Sequence, residues 1–166
     1  MSTLAELKRL WSFKPTDGGV IITSYKGNQT EVAAPEKIGK EAVVAIGAGA
    51  FCPFARRITS EMKAARRAVT KITLPETVRA IEKGAFWACE ALTSVNIPAG
   101  VETIRENTFA ECESLETLVI PSSVKAIERR AFFACGALTA IVEKGSYAEK
   151  YCIKNGINYR LEEDNK

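Results

Sequence analysis

The chain has 166 residues, 46% of them hydrophobic and 26% charged, and a formal charge of +3. That balance describes one folded domain and excludes a disordered or collagen-like chain, and no apolar run approaches the ~18 residues that a membrane span needs. Histidine is absent and aspartate occurs only at Asp17 and Asp164, which excludes Ser-His-Asp and Cys-His catalysis and histidine-ligated metal centres within the chain.

In chain order, Thr3 to Trp11 reads as a short helix with Leu4, Leu7, Leu10 and Trp11 apolar. Met1 to Phe13 has no continuous apolar core and no small-residue cleavage site, so the expected location is the cytoplasm. Gly19 to Ile22 and Glu31 to Pro35 read as strands, with Asp17-Gly18 and Lys26-Gly27-Asn28 supplying turns. Val44 to Phe51 is followed by an insertion in which Pro53 interrupts the pattern. Ser60 to Val69 reads as a helix capped by Thr59 or Ser60, with Ile58, Met62, Ala65 and Val69 on one face. Between Ala55 and Lys71 stand six basic residues and a single acid, Glu61; from Ile72 to Glu143 six basic residues face ten acids. A basic insert therefore sits beside a mildly acidic body.

From Leu74 onward the chain repeats every 23 residues. Pro75, Pro98 and Pro121 form one column, Phe86, Phe109 and Phe132 another, and Cys89, Cys112 and Cys135 a third. Val78, Val101 and Val124, then Ile81, Ile104 and Ile127, and Leu92, Leu115 and Leu138 keep the same register. In the unit that starts at Leu92, Val95-Asn96-Ile97 alternates as a half-buried strand does. Pro98 ends that strand because it has no N–H to donate. Val101 and Ile104 form a short apolar return, and Phe109 and Cys112 share one face of a single helical or 3₁₀ turn. A unit this small closes no core alone, so the units must stack, with strands ~4.8 Å apart. The phenylalanines then form a buried spine. The cysteines become small core side chains, because stacked Cβ vectors run parallel and make poor disulfide geometry. With five cysteines and no CxxC pair, reduced thiols are expected, and no metal site or cofactor.

The period falls in the window of leucine-rich repeats. The succession Leu74-Pro75, Val78, Ile81, Ala85-Phe86, Cys89 and Leu92, repeated twice, resembles the BspA-like leucine-rich repeats of bacteria. The resemblance implies an α/β repeat solenoid, a right-handed superhelix of 23-residue coils, strand-rich, with helical N- and C-terminal caps. It also implies protein binding or cell-surface adhesion as the role. Val44 to Phe51 then reads as the first coil, one period plus twelve residues ahead of its counterpart at Ile81 to Phe86. Ser146-x-x-Glu149 is a capping-box signature. The segment Gly145 to Tyr151, the helix it begins and an edge strand over Ile157 to Leu161 read as the C-terminal cap, followed by a polar tail to Lys166. The expected organisation is one domain over residues 1–166. It comprises an irregular cap at 1–45, a first coil with a helical insert at 46–71, regular repeats at 72–143 and a cap at 144–166.

Solenoids bind through extended faces. Strand alternation predicts that Lys71, Thr73, Ser94, Asn96, Thr117, Val119, Ala140 and Val142 point outward, in a small-sided ladder suited to a protein or peptide. The competing expectation is a plain solvated sheet. A second candidate is anion or nucleic-acid binding through Arg56, Arg57, Lys63, Arg66 and Arg67 of the insert. That stretch shows no aromatic interleaving, so nucleic acid is the weaker partner class. No catalytic residues are assigned, because nothing in the sequence brings carboxylates together. The chain is expected to act as a monomer or weak homodimer.

Overall fold

The computed structural model describes residues 3–163; the tail predicted to run to Lys166 lies in part outside them. Helix α1 (Leu4–Leu10) opens on a capping box, in which the Thr3 hydroxyl accepts the Glu6 N–H and Glu6 accepts the Thr3 N–H. Trp11 does not extend this helix. It begins β1 (Trp11–Thr16), which turns at Gly18 and pairs antiparallel with β2 (Gly19–Tyr25). The indole lies 4.9 Å from the Tyr25 ring and 6.0 Å from the Phe51 ring. Burying that large surface over the first coil outweighs one more helical residue. Strand β3 (Glu31–Ala33) follows, then β4 (Lys37–Ile38) in a hairpin with β5 (Glu41–Ile46). Helix α2 (Ser60–Arg67), capped by Thr59, fills the insertion.

The repeats supply β6 (Lys71–Thr73), β7 (Ala80–Ile81), β8 (Ser94–Val95), β9 (Thr103–Ile104), β10 (Thr117–Ile120), β11 (Ala126–Ile127) and β12 (Thr139–Val142). Helix α3 (Tyr147–Asn155) and β13 (Asn158–Leu161) end the described chain. These elements form three walls. The first is parallel and runs β3-β6-β8, then β10-β12-β13, with β8 beside β10. The second runs β2-β5-β7 and continues through β9 to β11. Successive coils pair one period apart, Lys71 with Ser94 and Thr103 with Ala126.

The third wall is made of turns. Phe86 N–H donates to Thr108 O, Ala88 N–H to Ala110 O, Phe109 N–H to Ala131 O and Glu111 N–H to Phe133 O. These bonds satisfy turn backbone that would otherwise be buried without partners. The geometry needs two left-handed residues per coil. They occupy the columns Gly84, Asn107, Arg130 and Ala88, Glu111, Ala134, all with φ between 56° and 61°. Only the first position of the first column is glycine, so five side chains tolerate a conformation that glycine adopts more readily.

Between the walls lies a continuous core. Phe86 and Phe109 stack at 5.4 Å and Phe109 and Phe132 at 5.8 Å, with interplanar angles of 13° and 5°. Phe51 joins this spine at 5.4 Å from Phe86, and Tyr151 of α3 meets Phe132 edge-on at 6.4 Å. The aromatic column predicted from spacing is therefore formed and extended at both ends.

Candidate protein-interaction face

On the first wall inward residues alternate with outward ones. Ile72, Leu74, Val95, Ile97, Leu118 and Ile120 are buried, while Lys71, Thr73, Ser94, Thr117 and Val119 are exposed. Asn96 faces the same way but is half-buried. Its carboxamide accepts the Leu74 N–H at 2.7 Å and donates to Leu74 O at 2.9 Å. It replaces a backbone ladder rung, so this side chain is committed to joining two coils.

Two of the predicted outward residues, Ala140 and Val142, are buried at 0% and 1% exposure. The strand pairs Thr117 with Thr139 and Val119 with Ile141. Two residues separate Leu92 from Val95 and Leu115 from Leu118, but a single residue separates Leu138 from Ala140. Losing one residue from a period-two strand exchanges its faces. Thr139 and Ile141 are therefore the outward residues of β12. Adding the end strands gives one outward row through Ala33, Thr73, Asn96, Val119, Ile141 and Arg160, and a second through Glu31, Lys71, Ser94, Thr117, Thr139 and Asn158. Six strands make a face about 24 Å across.

The insert divides its five basic candidates. Arg56, Arg57 and Arg67 are exposed and Lys63 is half-buried. Arg66 is 1% exposed and is not available to an anion. Its guanidinium donates to Tyr25 O at 3.0 and 2.7 Å, to Cys52 O at 2.8 Å, and to Gly49 O and Ser24 Oγ. The planar fork matches carbonyls that the irregular first coil leaves without strand partners. Burial lowers the affinity of Arg66 for its proton from the ordinary value. An arginine among basic neighbours reads as surface in sequence; the near-apolar α2 face that carries it is what places it inside.

The thiol column is also turned inward. Cys89 donates to Phe51 O at 3.5 Å, Cys112 to Phe86 O at 3.2 Å and Cys135 to Phe109 O at 2.9 Å. Burial pushes the Cys89 and Cys112 thiols well up and Cys135 to about 11. All five cysteines are free. Ion pairs repeat between coils at the surface: Arg105 with Glu82 at 3.2 Å, Lys125 with Glu102 at 2.7 Å, and both Lys83 and Arg129 with Glu106, at 2.5 and 2.7 Å. Hydrogen bonds from Lys83 and Arg129 hold the Glu106 carboxyl down at about 2. This is structural chemistry that ties neighbouring coils.

Sequence reasoning missed three exposed aromatics on the wall of turns, Phe54, Trp87 and Phe133. A signal for two of them was present. Trp87 and Phe133 directly follow the inward column residues Phe86 and Phe132, at a step where the small Cys52 and Ala110 are buried but a large ring is left exposed.

A search of curated proteins finds no match to this chain. Among solved structures, a leucine-rich repeat protein of T. pallidum is 26% identical with a TM-score of 0.65, over 80% of this chain and 68% of that one. A leucine-rich repeat protein from Bacteroides capillosus is 26% identical with a TM-score of 0.66, over 81% of this chain and 95% of that one. One from Bacteroides ovatus is 28% identical with a TM-score of 0.63; 82% of this chain aligns, but it spans only 37% of that longer protein. The profile of the BspA type leucine-rich repeat region matches residues 57–159 in six copies. That match covers more than half of the chain, and the chain belongs to the BspA-type leucine-rich repeat family.

Proposed function

We propose that this repeat module is a non-catalytic binder of a protein or peptide, and that the partner lies across the outward strand face. The observation that carries the reading is the pair Val119 and Ile141, side by side on neighbouring strands, with Val119 45% exposed. β-Branched apolar side chains on a face otherwise lined by Thr117, Ser94 and Thr73 offer burial to a partner, and the small neighbours let it approach closely. The family's association with protein binding supports the same reading, and a cytoplasmic site of action remains part of the proposal.

The test compares the wild-type chain with Val119→Arg and Ser94→Arg, both exposed positions, after checking that their thermal transitions match. Capture from a lysate of the source organism, with a photo-crosslinker at Thr117, is expected to retain a specific partner with the wild type and lose it in both variants. Equal recovery by all three proteins would reject this face.

A further inference from the structure

The wall of turns carries chemistry that a strand-face binder does not use. Phe54, Trp87 and Phe133 are 46%, 40% and 51% exposed, large values for aromatic rings. The Phe54 and Trp87 centroids lie 6.4 Å apart. Beside them opens a shallow groove of about 930 Å³ whose lining includes Arg56, Arg57 and Lys83 and no carboxylate. Lys83 is engaged by Glu106. Arg56 and Arg57, both exposed, form no ion pair among the described residues. Trp87 also lines a smaller hollow together with Glu111, Arg130 and Phe133.

We propose that this groove binds an extended acidic peptide segment of another protein, its carboxylates on Arg56 and Arg57 and an apolar side chain between them on Phe54 and Trp87. The charges argue for the occupant: two uncompensated guanidiniums next to apolar rings match a strand that alternates acidic and aliphatic side chains. Single-stranded nucleic acid fits less well. Lys63 lies 4.7 Å and Arg67 5.1 Å from the centre of the Phe54 ring, and Arg130 4.9 Å from that of Phe133. Cations therefore stand over Phe54 and Phe133, and of the three rings Trp87 is the one without a cation among the described residues. A single open face is fewer than the successive stacking platforms a strand of bases uses, whereas an aliphatic side chain needs only the Trp87 face and the rim of Phe54. The site is separate from the outward strand face and stands without it.

The test uses the whole chain at low salt with a ten-residue peptide alternating glutamate and leucine, its glutamine counterpart, and a ten-nucleotide oligothymidine. Trp11 is 3% exposed, so a change in tryptophan emission on titration reports Trp87. Saturable binding of the glutamate peptide is expected, at least tenfold weaker for the glutamine peptide and for Arg56→Glu/Arg57→Glu, and weakened by salt. With a dye on the peptide, Trp87→Ala is expected to bind at least tenfold more weakly, while Val119→Arg binds as the wild type. Circular dichroism of each variant establishes that it is folded. No saturable binding, binding undiminished in the double variant, or binding of the oligothymidine in preference to the peptide would overturn the proposal. Because Val119→Arg addresses only the strand face, failure here leaves that reading intact, and the reverse also holds.

Discussion

Arg66 shows how one buried cation is tolerated. A guanidinium out of water is costly unless its donors are paired, and here they meet three backbone carbonyls and the Ser24 hydroxyl. Arg66→Ala removes the side-chain partner of Tyr25 O and Ser24 Oγ, leaves Gly49 O and Cys52 O with only their turn N–H donors, and opens a cavity under α2. Equilibrium unfolding in denaturant is expected to show a loss of about 3–5 kcal/mol. Arg66→Lys, which keeps the charge and loses the fork, is expected to recover less than half of it. A near-neutral Arg66→Ala would mean that the carbonyls are solvated in the native state. Glu106 makes a contrasting case at the surface. Its carboxyl sits at about 2 instead of the usual 4.5, chiefly through hydrogen bonds from Lys83 and then Arg129. The ionised form is thus favoured by folding, and its stabilising effect is complete above the unfolded value of 4.5 and lost as pH falls through about 2. The gap in melting temperature between the wild type and Glu106→Gln should be widest near neutrality, shrink below pH 4.5 and shrink with added salt. A gap independent of pH would exclude this linkage.

At the scale of elements, the aromatic spine makes each coil depend on its neighbours. Phe109 is fully buried between two rings, whereas Phe132, 9% exposed, is covered by Tyr151 of the terminal helix. Phe109→Ala is expected to cost about 3–5 kcal/mol, lowering the melting temperature by on the order of 10 °C. Phe132→Ala should cost less, since α3 can settle into the space. Calorimetry of the two variants distinguishes the cases, and an equal loss would show that the last coil is as rigid as the centre. The strands carry the complementary lesson. Nine of their positions in β6, β8 and β10 alternate as expected, yet β12 is reversed by one missing residue after Leu138. Column spacing at Phe109 to Phe132 and Leu115 to Leu138 is unchanged there, and the sign of the slip lay in the column Leu74, Ile97 and Ile120, whose next position is the acidic Glu143.

For the molecule as a whole, stacking turns the thiols into reporters of coil separation. Cys52, Cys89, Cys112 and Cys152 are buried and only Cys135 is half-exposed. Burial also raises each thiol's affinity for its proton and depletes the reactive thiolate. With a thiol-reactive disulfide reagent, the folded protein should react slowly at one site, Cys135, and the unfolded chain at all five cysteines. Rapid reaction of several thiols without denaturant would contradict a closed stack.

The repeat period, the phenylalanine and cysteine columns and the two capping segments were legible along the chain because each depends on short-range spacing and on the apolar character of one residue type. The capped helix of the insert was legible for the same reason, from Thr59 and the apolar positions that follow it. Three features were not. Trp11 became a strand residue through rings at Tyr25 and Phe51; Arg66 turned inward to carbonyls more than ten residues away; and Phe54 met Trp87 across the insertion. Each is set by partners remote in sequence, whose positions exist only once the coils have closed. Local order thus fixes what kind of coil forms, while contacts between coils select which side chains remain on the surface to meet another molecule.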